Sequence, residues 1–278
     1  MTKTLQGKTV LHNGVEMPYF GIGVYKVQSG DEVYHTVKTA LELGYRLVDT
    51  ASFYDNEEGV GQAIKDSGIP REELFITTKV WNSEQGYEST LEAFDRSLRK
   101  LGLEYLDLYL IHWPIRAHYL ETWRAMEKLY EEGKVRAIGV SNFLIENLDD
   151  LISHSKHVPT VNQVELHPLL SQVELREYCA RHQIAVEAWS PLGRGHLLDH
   201  PVINEIGKKY NKTAAQVILR WHVQNDIIVI PKSITPARIK ENSEIFDFKL
   251  TSEDMEKINQ LNENKRFGSD PKVIQYQS

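Results

Sequence analysis

Eight short apolar segments recur along this chain of 278 residues, and amphipathic helical patterns separate them. The apolar segments lie at 20–24, 46–49, 74–79, 105–111, 135–140, 160–164, 184–189 and 227–230. Continuous apolarity without alternation indicates strands that are covered on both faces, as in parallel sheets. The series predicts one α/β domain over residues 1–278, built as a closed (β/α)₈ TIM barrel, with a doubly wound open sheet as the alternative.

Amphipathic helices are predicted between the strands, most clearly at 34–43, 87–101, 120–131 and 214–223. Within 87–101 the apolar residues are spaced by three, four and three positions, so they share one helix face. These residues are Leu91, Phe94, Leu98 and Leu101. The chain length suits one barrel of about 250 residues with a few additional elements.

The chain carries more elements than a basic barrel needs. Two additional helical stretches, at 202–210 and 252–261, should lie outside the barrel. Before the first barrel strand, Asn13 and Gly14 form a pair that is typical of a type I′ turn within 9–17. We therefore expect an N-terminal β-hairpin that caps the amino-terminal mouth of the barrel.

Composition limits the classes of partner. The net charge of −7 argues against a protein that binds nucleic acid or anionic membranes, because both need broad basic surfaces. The single cysteine, Cys179, excludes an internal disulfide and suits a reducing compartment. No apolar run approaches the roughly 18 residues of a membrane span, and no signal peptide is recognisable. We expect a cytoplasmic protein that acts as a monomer on small molecules.

Three consecutive predicted strands end on ionisable side chains, Asp49, Lys79 and His112. They are separated by 30 and 33 residues, one βα repeat each, so they should meet at the carboxyl end of the sheet. A buried charge is costly unless it is paired, so Asp49 and Lys79 should form an ion pair. The alternative is a purely structural ion pair, but that would not require His112 or the nearby Tyr54.

This set of side chains suits proton transfer to a carbonyl oxygen. A tyrosine with a pKa of about 10 is a weak acid at neutral pH. An adjacent ammonium favours the phenolate, so Lys79 should lower the pKa of Tyr54. Tyr54 would give its proton to the alkoxide as hydride reaches the carbon, while His112 orients the carbonyl oxygen. No metal is required.

The sequence around these positions resembles the aldo-keto reductase signatures. The matching motifs are Gly44-Tyr45-Arg46-Leu47-Val48-Asp49-Thr50-Ala51 with Tyr54, Thr78-Lys79-Val80-Trp81, Leu110-Ile111-His112-Trp113-Pro114, Ile138-Gly139-Val140-Ser141-Asn142-Phe143 and Ile230-Pro231-Lys232-Ser233. Within that family the chain is most similar to bacterial 2,5-diketo-gluconate reductases and glyoxal or methylglyoxal reductases. The resemblance implies an NADPH-dependent oxidoreductase that reduces small aldehydes and ketones, with the four residues above as a catalytic tetrad and Tyr54 as general acid.

No Gly-x-Gly-x-x-Gly motif opens a helix after a strand, which weighs against an open dinucleotide-binding sheet. Aldo-keto reductases bind NADPH without that motif. The resemblance assigns the nicotinamide carboxamide to Ser141, Asn142 and Gln163, and the stacking face to Trp189, where many members have tyrosine. Loop residues near the pyrophosphate would be Ser190, Leu192 and Gly193. The structural alternatives are helix capping and buried hydrogen bonding for the three polar residues, core packing for Trp189 and a plain turn for the loop.

The adenosine end of the cofactor is predicted after the eighth strand. Lys232 and Ser233 follow that strand, and Arg238 lies early in the next helix. Helix amino termini attract phosphate, and Lys and Arg reinforce that attraction. In an acidic protein this local cationic cluster favours NADPH over NADH, because the 2′-phosphate needs a cation. Glu241 and Asn242 suit the adenine amino group, and a solvated basic helix face is the alternative.

Aromatic side chains should line the substrate pocket. Tyr25, Trp81 and Trp113 follow barrel strands and should surround the mouth of the site together with His112. Such walls favour a small aldehyde or ketone without identifying it. The polar tail at 264–278 should cover little of the pocket, so broad specificity is expected.

Three other readings of the sequence carry less weight. A nucleotide-sensing subunit would show a broken tetrad or a long added segment, and neither is present. A Schiff-base aldolase would need a neutral Lys79, whereas Asp49 would keep it charged. His196 and His200 have a spacing that can bind a metal, but no third ligand lies nearby in sequence, so no metal site is predicted.

Overall fold

The computed structural model describes residues 3–276, and an eight-stranded parallel sheet forms its centre. A two-stranded hairpin precedes the sheet. The strands in chain order are β1 (Lys8–Val10), β2 (Glu16–Pro18), β3 (Gly21–Gly23), β4 (Leu47–Asp49), β5 (Phe75–Val80), β6 (Leu106–Ile111), β7 (Val135–Ser141), β8 (Val161–Glu165), β9 (Ala185–Trp189) and β10 (Ile228–Val229). From β3 to β10 each strand lies next to its neighbour in the chain.

The sheet closes on itself. A parallel bridge joins Phe20, before β3, to Val229 in β10. Backbone hydrogen bonds from Gly23 to the carbonyl of Pro231 (3.3 Å) and from Val229 to the carbonyl of Tyr19 (3.1 Å) complete the closure. The predicted (β/α)₈ TIM barrel is confirmed, and the open-sheet alternative is wrong.

Helices follow the barrel strands and cover the outside of the sheet. They are α1 (Asp31–Glu42), α2 (Glu57–Ser67), α3 (Tyr87–Leu101), α4 (Tyr119–Glu131), α5 (Ile145–Ser153), α6 (Val173–Arg181), α7 (Pro201–Tyr210), α8 (Ala214–Gln224), α9 (Pro236–Ser243), α10 (Ser252–Asn259) and α11 (Pro271–Ile274). Single 3₁₀ turns lie at Ser52–Tyr54, Arg71–Glu73, Asn82–Glu84 and Gly193–Gly195. The helices keep the sheet dry on its outer face, which explains why the strand segments are apolar without alternation.

Helix α3 shows how the sequence pattern becomes packing. Its bounds agree with the prediction, and Phe94 and Leu101 are fully buried. Burial of a side chain of this size stabilises the fold by roughly 1.5–3 kcal/mol relative to exposure. The helix ends where Gly102 adopts a φ of +64°, a left-handed conformation that glycine adopts without strain.

The hairpin lies at the amino-terminal mouth, as predicted. The imidazole Nε2 of His12 lies 3.2 Å from the carbonyl oxygen of Val158, just before β8, and Asn13 donates to the carbonyl of Arg136 at 3.1 Å. The turn type was wrongly predicted. Only Gly14 of the central pair has a positive φ, at +85°. A type I′ turn needs positive φ at both positions, and here the Asn13 side chain instead accepts a hydrogen bond from Val15.

The two additional helices, α7 and α10, pack against each other outside the barrel, which confirms their predicted position. Lys209 of α7 forms an ion pair with Asp254 of α10 at 2.6 Å, and Tyr210 donates to the same carboxylate at 2.5 Å. No helix within residues 3–276 is long and apolar enough to cross a membrane.

Candidate active site

The four residues of the predicted tetrad converge at the carboxyl end of the barrel. Asp49 is the last residue of β4, Lys79 lies one residue before the end of β5, and His112 directly follows β6. Tyr54 ends the 3₁₀ turn that follows β4. Parallel pairing of β4 with β5 and of β5 with β6 brings these strand ends together, although they are far apart in sequence.

A buried amide that the sequence analysis did not single out holds the Tyr54 turn in place. The side chain of Asn56 donates to the carbonyl oxygens of Val24 (3.0 Å) and Val27 (3.1 Å). Its own carbonyl accepts a hydrogen bond from the Thr50 hydroxyl at 2.8 Å. Asn56 therefore joins the loop after β3 to the loop that carries Tyr54. The only sequence signal was its position two residues after that tyrosine.

The ammonium group of Lys79 is the centre of the site. It is completely buried, and its Nζ lies 2.7 Å from Asp49 Oδ2, 3.2 Å from the Tyr54 hydroxyl and 2.9 Å from the carbonyl oxygen of Thr50. An ammonium has three protons, so these three contacts use its full donor capacity. Burial opposes the charge on Lys79, but Asp49 and Tyr54 outweigh it and raise the lysine pKa to about 12. A charged Lys79 is not a Schiff-base nucleophile at neutral pH.

Burial, rather than Lys79, dominates the acidity of Tyr54. Desolvation raises the pKa of the Tyr54 phenol to about 12, and the neighbouring Lys79 lowers it only in part while Asp49 raises it further. The expected fall of the Tyr54 pKa below the ordinary tyrosine value is therefore not found. The phenol is protonated at neutral pH, and the ammonium 3.2 Å away is placed to stabilise a phenolate once it forms.

His112 is buried and neutral beside the phenol. Burial, together with the charge of Lys79, holds the pKa of His112 well below its usual value. Its ring lies edge-on to Tyr54 (5.7 Å between centroids) and to Trp81 (5.0 Å). Within residues 3–276, its buried Nδ1 has no hydrogen-bond partner. A neutral imidazole in this position can donate one ring N–H to a bound oxygen.

Aromatic side chains form one wall of the site. The ring of Tyr25, with 43% of the residue exposed, lies 5.1 Å from the Tyr54 ring. Phe53 stacks on Trp81 with 3.7 Å between centroids and 16° between planes, and 48% of Phe53 is exposed. The sequence analysis missed Phe53. Trp113 makes no comparable ring contact with this cluster among the described residues, and its backbone carbonyl accepts a hydrogen bond from Gln85 at 2.8 Å.

The residues predicted to hold the nicotinamide are linked to the tetrad. Asn142 donates to the carbonyl of His112 at 3.0 Å and accepts from the indole N–H of Trp189 at 2.8 Å. Ser141 donates to the backbone carbonyl of Gln163 at 2.9 Å. The Gln163 amide donates to Asp49 Oδ1 at 2.8 Å. The same amide nitrogen lies 2.8 Å from the carboxyl of Glu187, a buried residue on β9 that the sequence analysis also missed.

The loop after β9 is bent and covered. Ser190, Gly193 and Arg194 have positive φ values of 48°, 56° and 54°, which turn the chain sharply after Trp189, and Leu192 lies between them, partly buried. The tail packs over this loop, while its expected small coverage of the substrate pocket stays a prediction. The ring of Phe267 stacks on His196 with 4.4 Å between centroids.

Glu165 fastens the tail at this position. This fully buried carboxylate, at the end of β8, accepts hydrogen bonds from the backbone N–H groups of Phe267 (2.7 Å) and Gly268 (3.0 Å). A Cβ on Gly268 would lie 2.3 Å from the indole of Trp189. Glycine at 268 thus lets the tail lie directly against the predicted stacking residue.

The predicted adenosine end lies around the start of α9. Lys232 and Arg238 are exposed, and neither has a carboxylate within 4 Å among residues 3–276. Ser233 is buried, and its hydroxyl accepts from the Thr235 backbone N–H at 3.2 Å. Glu241 is partly buried and accepts a hydrogen bond from Thr213 at 2.9 Å. Asn242 is buried in the same helix.

Comparison with known proteins agrees with this geometry. The sequence pattern of the aldo/keto reductase family matches residues 20–263, which include every strand of the barrel. The chain belongs to the aldo/keto reductase family. Members of the family are oxidoreductases, so the alternatives of an aldolase and of a sensor without enzymatic activity lose their support.

Named aldo/keto reductases resemble the chain along nearly its whole length. The glyoxal reductase of Bacillus subtilis is 57% identical over 271 residues, covering 98% of each chain. The methylglyoxal reductase DkgA of Yersinia pestis is 49% identical over 275 residues, covering 98% of each chain. Among solved structures, a mutant of Gox0644 in complex with NADPH is 47% identical with a TM-score of 0.92, covering 96% of this chain and 98% of the other.

Within residues 3–276, no group of three or more His, Cys, Asp or Glu side chains is arranged to hold a metal ion. His196 stacks on Phe267, and no described residue joins it to His200 in a ligand cluster. The side chains of the tetrad are placed to transfer a proton and to orient a carbonyl group.

Proposed function

We propose that this protein reduces small aldehydes and ketones, such as glyoxal and methylglyoxal, to alcohols with NADPH, and that Tyr54 is the general acid. The observation that carries the proposal is the position of Lys79, whose ammonium contacts both Asp49 (2.7 Å) and the Tyr54 hydroxyl (3.2 Å) beside a neutral His112. The names of the bacterial relatives support this class of substrate.

The residues present fit NADPH. Lys232 and Arg238 are exposed cations without carboxylate partners among the described residues, which suits the 2′-phosphate. Trp189 offers an indole face, and its N–H is already satisfied by Asn142, so the ring is held in one orientation. Ser141 bonds the backbone carbonyl of Gln163, and the Gln163 amide bonds Asp49, so these polar groups link the neighbourhood of the indole to the tetrad. When bound, NADPH supplies a hydride to the carbonyl carbon.

The side chains of the tetrad then act on the oxygen. Neutral His112 donates a ring N–H to the carbonyl oxygen and fixes its direction. Tyr54 transfers its proton to the same oxygen as negative charge develops there. A phenol with a pKa of about 12 is still a far stronger acid than an alcohol, whose pKa is close to the value of about 16 for water. Lys79 stabilises the phenolate, which recovers one proton from solvent in each turnover.

The aromatic wall supports broad selectivity for small carbonyl compounds. Tyr25, Phe53 and Trp81 present flat apolar surfaces and no charge. Diketo-sugar acids are a second candidate class, because Lys26 places its ammonium 5.5 Å from the Tyr25 ring, near enough to the rim to attract a substrate carboxylate. We further propose that the protein is one domain over residues 1–278 and acts as a cytoplasmic monomer.

The proposal is tested by following the absorbance of NADPH with methylglyoxal for the wild type and Tyr54→Phe. The variant keeps the ring but has no proton to give, so kcat should fall by about 100-fold or more. Tyr34→Phe is the matched control, because the Tyr34 hydroxyl bonds Asp66 on the outside of the barrel and its loss should leave kcat unchanged. Equal rates for Tyr54→Phe and the wild type would exclude Tyr54 as the acid. No turnover of any small carbonyl compound by the wild type would exclude the function.

A further inference from the structure

A third buried carboxyl lies beneath the tetrad. Glu187 is in the middle of β9, in register with Gln163 on β8, and its side chain is completely buried inside the barrel. The side-chain amide nitrogen of Gln163 lies 2.8 Å from Glu187 Oε2 and 2.8 Å from Asp49 Oδ1. One amide group therefore bridges Glu187 and the carboxylate that pairs with Lys79.

This bridge fixes the orientation of Gln163. A primary amide has two N–H donors on one atom, and here both point to carboxyl oxygens. The amide cannot turn over without bringing its own carbonyl oxygen against two acceptors. Its Oε1 is therefore directed away from Glu187 and Asp49 and accepts no hydrogen bond from the residues described. That oxygen is available to the amide group of a nicotinamide.

The charges in this dry region do not balance if every group is ionised. Asp49 and Glu187 would contribute two negative charges, and Lys79 provides one positive charge. On the other side of Glu187, the residue of β10 in register with it is Ile228, which carries no charge. Glu187 Oε1 is buried without a hydrogen-bond partner among residues 3–276, so the single hydrogen bond from Gln163 to Oε2 is left to offset the cost of burying a charge. Burial, with a smaller effect of Asp49, raises the pKa of Glu187 to about 8.

We propose that Glu187 is a positioning residue, a neutral carboxyl that holds Gln163 against Asp49 and keeps a second negative charge away from Lys79. This inference rests on the proposed role of the tetrad and extends it to a residue that touches neither substrate nor cofactor. Glu187 acts through Gln163, whose oxygen points away from both carboxyl groups and whose N–H groups bond Glu187 and Asp49.

Ionisation of Glu187 has a specific consequence for the cofactor. An oxidised nicotinamide ring carries a positive charge and a reduced ring does not. A negative charge that appears on Glu187 beside Gln163 therefore favours NADP⁺ over NADPH. As pH rises through the titration of Glu187, binding should shift toward the oxidised cofactor. The 2′-phosphate is common to both cofactors, so its own titration cancels in the ratio of their dissociation constants.

The first test uses Glu187→Gln, which keeps an acceptor for Gln163 but cannot ionise. Kd values for NADPH and NADP⁺ are measured by quenching of tryptophan fluorescence at about pH 7 and about pH 9.5. In the wild type, the ratio of Kd for NADPH to Kd for NADP⁺ should rise by about tenfold across this range, whereas the variant should show a constant ratio. The same rise in both proteins, or no rise in the wild type, overturns the proposal.

Glu57→Gln is the matched control. Glu57 is also a buried carboxyl with a raised pKa, but it lies on α2 and accepts a hydrogen bond from Thr78 at 2.6 Å outside the barrel. Its loss should leave the wild-type change in the cofactor ratio intact. If Glu57→Gln abolished that change, the effect would not belong to Glu187 and the proposal would fail.

The second test needs no cofactor. Infrared difference spectra of the wild type between about pH 7 and about pH 9.5 should show loss of the carbonyl stretch of a protonated carboxylic acid. Glu187→Gln should lack that signal, and its persistence in the variant overturns the proposal. Because this measurement uses the protein alone, it remains valid even if the enzyme reduces none of the carbonyl compounds tested.

Discussion

At the scale of single residues, the site depends on one buried ion pair. Lys79 is fully buried and Asp49 nearly so, and their separation of 2.7 Å allows each charge to exist without water. Two opposite effects act on the pKa of Tyr54 beside this pair. The charge of Lys79 lowers that pKa, and burial of the phenol raises it by more. The proton donation that we propose for Tyr54 would therefore depend on stabilising the phenolate as it forms, rather than on a phenol that is acidic at rest.

The ion pair should also contribute to stability. Asp49→Asn leaves a buried ammonium without its carboxylate, and loss of one partner of such a pair costs about 3–5 kcal/mol of unfolding free energy. Urea unfolding measures this change. The control is Glu244→Gln, which breaks the exposed pair of Lys240 and Glu244 (3.4 Å) and should cost less than about 1 kcal/mol. Similar losses in both variants would contradict the importance assigned to the buried pair.

At the scale of elements, strand ends supply the charged groups and loops set their positions. No residue of the turn at Ser52–Tyr54 is buried as a whole, although the Tyr54 hydroxyl lies inside the site, and Asn56 ties the turn to the loop after β3. The loop after β9 is covered by the tail, which Glu165 holds through two backbone N–H groups. In both places a buried polar side chain, Asn56 or Glu165, holds a loop against another segment of the chain.

The start of α9 gives a prediction at this scale. Arg238→Ala removes an exposed cation from the first turn of this helix, so NADPH should bind about 10- to 100-fold more weakly while NADH changes little. Dissociation constants for both cofactors measure the effect. Lys240→Ala is the control, because Lys240 lies on the same helix but is paired with Glu244. An equal loss for NADPH and NADH in Arg238→Ala would rule out recognition of the 2′-phosphate.

At the scale of the whole molecule, closure of the barrel buries titratable groups that face inward. Strands β4, β5, β8 and β9 direct Asp49, Lys79, Gln163 and Glu187 into one dry interior. The fold holds these groups because it is closed by β10 against β3, so water cannot reach them from the side. The stability of the protein must therefore depend on pH through this interior.

The sign of that dependence follows from Glu187. Its pKa is raised from 4.5 to about 8 in the folded protein, so between these values the folded state keeps a proton that the unfolded state has lost. Stability should fall as pH rises through this window, by about 1–2 kcal/mol between about pH 6.5 and about pH 8. Urea unfolding at several pH values measures it, and Glu187→Gln should show a flatter dependence. A wild-type stability that rises over this range would contradict the assignment.

The amino-acid sequence by itself determined the barrel and predicted the group that we propose for proton transfer. Strand and helix periodicities are local, and chemistry at parallel strand ends follows from their spacing, so Asp49, Lys79 and His112 could be placed together in advance. Tyr54, five residues after Asp49, belonged to the same reasoning, and the family resemblance added Trp189. The hairpin turn was wrong in detail, because Asn13 satisfies its backbone through its side chain instead of adopting a positive φ.

Only the tertiary structure decided which groups surround these residues. Gln163 reaches Asp49 across 114 positions of sequence, and Glu165 holds Gly268 across 103. Such contacts depend on strand register and on the path of the tail, which no local pattern encodes. The same holds for acidity: whether burial or Lys79 controls the Tyr54 phenol depends on how much water the closed barrel excludes. The role proposed for Glu187 depends on its neighbours, because among residues 3–276 only Lys79 supplies a positive charge beside it and Asp49.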